Sequence, residues 1–180
     1  MTIRLNPYEK LRVTTAQDLI KLYDLKPHPE GGYFRETYRS AGKIAKAALP
    51  KNFAGDCAFS TAIYYLLRQG EQSKLHRLKT DEIFHFYLGA PLIIVQIFPD
   101  RVEKIRLGPN VAAGETVQHI VPAGCWFGGY PEPGSQFCFV GCTVAPGFEF
   151  ADFEVNPDRQ KLLKEFPHAR EEILKFYPPS

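Results

Sequence analysis

Between residues 58 and 147 hydrophobic and polar positions alternate in short runs separated by turn residues. AFSTAIYYLL, EIFHFYL, LIIVQIF, RVEKIRL, TVQHIVP, CWFGG and QFCFVGCTV read as strands. Gly70, Gly89-Ala90-Pro91, Pro99-Asp100, Gly108-Pro109-Asn110 and the stretch from Tyr130 to Ser135 supply the turns between them. Many short strands without intervening helices predict an all-β sandwich or barrel. GYFRETYRS, upstream, also alternates and reads as a strand. Thr14 or Thr15 caps a short helix through Leu22, which stops at the prolines and glycines of DLKPHPEGG. SAGKIAKAALPKNFAGD reads as a long mobile connection. Asn156-Pro157-Asp158 starts one or two closing helices, and APGFEFADFE is expected to clamp that C-terminal segment against the barrel.

Composition changes this picture little. The 180 residues suit one domain, with a barrel core over about 32–155 and helices over about 157–177. Lys plus Arg number 22 against 20 Asp plus Glu, so neither a nucleic-acid groove nor a polybasic membrane patch is indicated. MTIRLNPYEKLRVTTAQ lacks the apolar core of a signal peptide, and LIIVQIF is too short to span a bilayer. A cytoplasmic setting is therefore expected, with Cys57, Cys125, Cys138 and Cys142 as reduced, buried thiols rather than metal ligands.

The chemistry concentrates in HRLKTDEIFHFYLG. His76, Glu82 and Gly89 fit the first motif of the cupin superfamily, and Val121-Pro122-Ala123-Gly124 resembles the core of the second. HPEGGYFRETYRS, SKLHRLKTDEIFHFYLG, VPAGCWFGG and APGFEFADFE together resemble a cupin subgroup classed as a domain of unknown function. The resemblance implies a double-stranded β-helix, or jelly-roll barrel, with a ligand pocket inside it. It also implies metal ligands, and here the sequence departs. Leu78 holds the second histidine position of the first motif, and Phe127 the histidine position of the second. His76 and Glu82 remain, and two protein ligands rarely hold a transition metal. His85 would be the third ligand only if a bulge near Thr80-Asp81 reversed the alternation of one unbroken strand.

No metal cofactor is therefore favoured, although a divalent metal on His76, Glu82 and His85 stays open. The favoured reading is acid–base: His76 paired with Glu82 or Asp81, and Tyr64 or Tyr65 as a phenolic donor. This resembles the deoxysugar-nucleotide epimerases, cupin barrels that work without metal. PHPEGGYFRE reads as a lid carrying His28, Glu30, Arg35 and Glu36, with Arg35 binding a carboxylate or phosphate. His85, Gln96, Gln118, Trp126 and Phe127 are assigned to the pocket wall, with Trp126 stacking on a flat ligand, whereas His119 and His168 are read as structural. The expected function is binding of a small molecule, with an isomerase- or epimerase-like activity on it. The alternatives are a metal-dependent enzyme and a non-catalytic binding or storage protein. The expected partner is a second copy of the chain, exchanging the GYFRETYRS strand.

Overall fold

The computed structural model describes residues 15–155 and 158–177. Helix α1 (Ala16–Leu22) begins with a capping box: the Thr15 hydroxyl accepts from the Asp18 amide at 3.2 Å, and the Asp18 carboxylate accepts from the Thr15 amide at 3.1 Å. Strands β1 (Lys26–Pro27) and β2 (Tyr33–Arg39) follow, joined through the turn at Gly31 and Gly32. Next come β3 (Lys43–Ile44) and β4 (Cys57–Ala58), which pair with each other. The connection expected to be mobile is thus a closed excursion. Phe53 is buried within it, and the Lys46 amide donates to Asp56 at 2.8 Å. Apolar burial and paired donors fix what composition alone suggested would wander.

The barrel strands are β5 (Thr61–Arg68), β6 (Ser73–Arg77), β7 (Glu82–Gly89), β8 (Leu92–Ile97), β9 (Val102–Leu107), β10 (Gln118–Val121), β11 (Trp126–Pro131), β12 (Phe137–Val144) and β13 (Glu154–Val155). They form two antiparallel sheets, one in the order β1-β2-β5-β12-β7-β10 and the other β13-β6-β11-β8-β9. This is the jelly-roll barrel that the motifs imply. Residues 78–81 break what had read as one unbroken strand, so β6 and β7 belong to different sheets. The irregularity within β7 lies at its far end, where pairing with β12 steps from Phe86 to Leu88. No bulge carries His85 inward.

β2 pairs with β5 of its own chain, from Tyr33 opposite Leu66 to Arg39 opposite Thr61. Within the single chain, β2 thus lies along the edge of β5. At the C-terminus, α2 (Arg159–Glu165) is capped by Asp158, whose carboxylate accepts from the Lys161 amide at 2.8 Å. Asn156 and Pro157, also read as part of that start, lie outside the described residues. Among the described residues no helix is long and apolar enough to cross a membrane.

Three apolar clusters hold the layers. α1 covers one end of the six-stranded sheet through Leu19, with Leu25, Leu66, Phe137 and Phe139 around it. The barrel interior is filled at one end by Tyr65, Leu67, Phe84, Phe127, Cys138 and Val140. α2 and α3 (Arg170–Lys175) lie on the outside of the five-stranded sheet, where Leu162, Phe166 and Ile173 meet Ile93, Val95 and Trp126. The clamp on the C-terminal helices is thus made by this outer sheet face, not by APGFEFADFE. Trp126 accordingly faces the helices rather than the barrel mouth, with the Arg77 guanidinium 4.5 Å from its ring centre. Its indole N–H is buried without an acceptor. Trp126→Ala should therefore cost stability, about 3–5 kcal/mol in denaturant unfolding, by opening a cavity under the helices. Trp126→Phe, which discards the unsatisfied donor, should cost about 1 kcal/mol or less.

Candidate functional site

Strand alternation divides the barrel interior into a filled end and an open one. On β5, Tyr65 and Leu67 face the packed core, whereas Thr61 and Ile63 face a cavity. On β12, Val140 and Cys138 are packed, and Cys142 and Val144 reach the cavity. On β7, Phe84 is packed and Glu82 lines the cavity. The cavity measures about 70 Å³, room for several waters or one compact ligand. His76 on β6 and Glu82 on β7 enter it from facing sheets.

Glu30 joins them from the turn between β1 and β2. Its Oε1 accepts from the Ser73 hydroxyl at 2.9 Å. Its Oε2 lies 3.5 Å from His28 Nδ1 and 3.5 Å from His76 Nε2. One buried carboxylate thus stands between two imidazoles. His76 Nδ1 is 2.8 Å from the Lys74 carbonyl, which can only accept, so that nitrogen carries a proton and Nε2 is the exchangeable position facing Glu30. The Phe127 ring packs against the His76 ring, 4.0 Å between centres, and holds its plane. Burial pushes the His28 pKa down, with His76 adding to that and Glu30 opposing it. His28 is therefore a neutral imidazole beside the carboxylate.

Glu82 differs in character. Burial first, and the Glu30 carboxylate second, push its pKa up from 4.5 to about 8, and the neighbouring Cys142 thiol offsets only part of that. Its Oε2 is buried with no hydrogen-bond partner. At neutral pH Glu82 is a protonated acid with one oxygen directed to no protein group.

The remaining walls are aromatic. Phe34 packs edge-on to His28, 4.5 Å between ring centres, and Phe153 lies 5.5 Å from the His76 ring centre. Phe148 and Phe150 meet edge to face at 4.9 Å, and Phe150 stacks over His28 at 6.2 Å. APGFEFADFE therefore builds the pocket roof rather than the clamp expected of it. That roof is fastened at Asp152, whose Oδ1 accepts from the Ala54 amide at 2.8 Å and from Lys79 Nζ at 2.7 Å. At the mouth Arg39 is fully engaged, with Glu36 at 2.8 Å, Glu149 at 2.6 Å and the Phe148 carbonyl at 3.1 Å.

Of the residues assigned to the pocket from sequence, His76, Glu82 and Glu36 line it. Phe127 supports it from below through His76. The others lie elsewhere. Arg35 turns out of the barrel and donates to the Tyr23 carbonyl at 3.0 Å, so it is not an anion fork. Tyr64 packs on the outer face against Tyr23 and Phe139. Tyr65 is the inward tyrosine, and its hydroxyl donates to the Gly31 carbonyl at 2.8 Å, supporting the Glu30 turn. His85 faces outward, with Thr143 Oγ1 and Gln118 Nε2 each at 3.2 Å. Gln96 is buried against His119, whose ring donates to its side-chain oxygen. His28, Thr61, Arg39, Cys142 and the three roof phenylalanines had not been assigned to the pocket. The one signal for His28 and Glu30 was a concentration of polar residues around Gly31-Gly32.

The cupin resemblance implies a metal, so the donor set is decisive. Leu78 lines the cavity where a second histidine would stand, and Phe127 fills the position of another. His85, the proposed substitute, is on the far side of the sheet. Among the described residues no group of three His, Cys, Asp or Glu side chains is arranged to hold a metal ion. Apolar side chains thus occupy two of the ligand positions that the cupin motifs imply.

The raised Glu82 pKa makes stability depend on pH. Between about pH 4.5 and 8 the unfolded chain loses a proton that the folded chain keeps, so stability falls as pH rises and levels above 8. The whole effect is on the order of 5 kcal/mol, about 1.4 kcal/mol for each pH unit between the two pKa values. Glu82→Gln should flatten this slope, gaining on the parent protein at pH 9 relative to pH 5 in urea unfolding. Equal slopes in the two proteins would mean that Glu82 ionises normally.

The comparisons with known proteins agree with the fold. An uncharacterized protein of Saccharomyces cerevisiae is 30% identical over 149 residues, covering 77% of this chain and 74% of its own. The crystal structure of protein SO0799 from Shewanella oneidensis superposes with a TM-score of 0.79 at 38% identity, covering 92% of this chain and 99% of that one. Oxalate decarboxylase of Bacillus subtilis shares the fold alone, with a TM-score of 0.52 at 15% identity, over 86% of this chain and 37% of its own. Residues 17–156 match the family described as Cupin superfamily (DUF985), and with that match, the two-sheet barrel and the inward His76 and Glu82, the chain belongs to that cupin family.

Proposed function

We propose that the protein binds a small molecule in the barrel cavity and transfers a proton to or from it, as an isomerase or epimerase does, without a resident metal. One observation carries this reading: His76 and Glu82 face the same cavity from opposite sheets. The exchangeable Nε2 of His76 stands beside the Glu30 carboxylate, which stabilises the imidazolium formed when His76 takes a proton. Glu82 arrives already protonated and is the acid that returns a proton from the other side. A base and an acid on opposite walls form the arrangement needed to remove a proton from one face of a carbon and deliver one to the other. The aromatic roof makes the upper wall of the cavity apolar, which favours such an intermediate over its reaction with water. Fold membership alone does not choose this reading, since one barrel hosts many chemistries.

The test is exchange in D₂O. Small hydroxy, keto and amino compounds, together with any molecule that co-purifies, are incubated with the protein and their C–H signals followed by proton NMR. At least one compound should lose a C–H signal, at the same rate with and without EDTA. His76→Ala and Glu82→Gln should each slow that loss by about 100-fold or more, the usual range for a general acid or base. Exchange abolished by EDTA and restored by a divalent ion would overturn the metal-free reading. Binding with no exchange in any compound would leave a ligand-binding protein and no enzyme.

A further inference from the structure

The charge of the cavity restricts its ligand more narrowly than its shape does. Glu30 is 8% exposed and directs Oε2 between two imidazoles. Glu82 is also 8% exposed, and its Oε2 meets no donor at all. Among the described residues Arg39 is the lone guanidinium lining the cavity, and it is already neutralised by Glu36 and Glu149, with its remaining reach taken by the Phe148 carbonyl. Three carboxylates, Glu30, Glu36 and Glu149, therefore stand against one guanidinium before Glu82 is counted. Above them lie the ring faces and edges of Phe34, Phe148, Phe150 and Phe153. Aromatic rings and buried carboxylates together attract a cation, the rings through their quadrupoles and the carboxylates by charge and hydrogen bonding. Among the described residues an anion would meet no unpaired guanidinium or ammonium, and both imidazoles of the lining already face Glu30.

Resting on the proton-transfer reading of the same cavity, we infer that the ligand is a compact organic cation carrying a protonated amine beside the exchanging carbon, with N–H groups that reach Glu30 and the unpartnered Glu82 oxygen. The cavity of about 70 Å³ limits it to a few heavy atoms inside the roof. A primary ammonium supplies three donors and has no acceptor to satisfy, which suits a wall rich in acceptors. Neutral alcohols of the same shape lose the charge and keep the apolar contact. Carboxylates of that shape are repelled.

Three probes of similar shape and different charge separate these cases: isobutylammonium, isobutanol and isobutyrate, titrated into the full chain at pH 7 and followed by pocket resonances in NMR. Isobutylammonium should bind at least about tenfold more tightly than isobutanol, a difference equivalent to one charge-assisted contact, and isobutyrate should not bind. Glu30→Gln should remove the preference for the cation. Should that variant fail to fold, Phe150→Ala, at a ring 56% exposed, should weaken isobutylammonium severalfold while leaving the fold intact. Isobutanol or isobutyrate binding as tightly as isobutylammonium would overturn the cation preference and leave the proton-transfer site standing. No perturbation of pocket resonances by any of the three would overturn both readings. Exchange failing in D₂O while isobutylammonium still binds selectively would overturn only the catalytic reading.

Discussion

A buried carboxylate must be satisfied or it destabilises the fold that holds it, and Glu30 is the carboxylate around which this barrel mouth is organised. Its turn is fixed on every side. The His28 amide donates to the Gly32 carbonyl at 3.0 Å, the Gly31 amide to the His28 carbonyl at 3.0 Å, and the Lys74 amide to the Glu30 carbonyl at 2.8 Å. Gly31 and Gly32 adopt φ of 117° and 67°, values that other residues rarely take. Tyr65 and Ser73 complete the support from β5 and β6. One turn therefore ties β1, β2, β5 and β6 together and delivers a negative charge into the barrel.

The other features of the cavity respond to that charge. Glu82, across the cavity, is kept protonated partly by it. His28 and His76 are drawn to its two sides, and their ring planes are set by Phe34 and Phe127 rather than by hydrogen bonds to the carboxylate. The filled end of the barrel then acts as a rigid floor, since Tyr65, Phe84 and Phe127 pack there without polar groups in need of water. Chemistry and packing are separated along the same strands by two-residue steps.

Much of this was legible in the sequence, and the failures share a cause. Turn residues and alternation identified most of the strands, and the spacing of His76, Glu82 and Gly89 pointed to the right cavity residues, because these signals are local. Leu78 and Phe127 also marked the missing ligands without any structure. Alternation within β7 separated His85 from Glu82, yet His85 was still assigned to the pocket wall, and the structure turns it outward. The supposed continuity of β6 and β7 was not real either, since four residues, 78–81, carry the chain from one sheet to the other. Trp126 was misplaced because nothing local tells an inward position from an outward one on a strand buried on both faces. Glu30 and the roof phenylalanines were underrated because their partners lie far away in sequence: Ser73 for Glu30, His28 for Phe150.

The fastening of Asp152 has a kinetic meaning. The segment that carries Phe150 and Phe153 is tied to Ala54 and Lys79 on the side away from the cavity, so the roof does not open as a hinged flap. The least enclosed part of the roof is the Phe150 ring, more than half exposed and lining the cavity. Side-chain rotation takes picoseconds to nanoseconds, against microseconds or longer for displacement of a packed segment. A ligand passing that ring would meet a doorway of fixed frame, and its residence would be set by its contacts inside rather than by the opening of the protein around it.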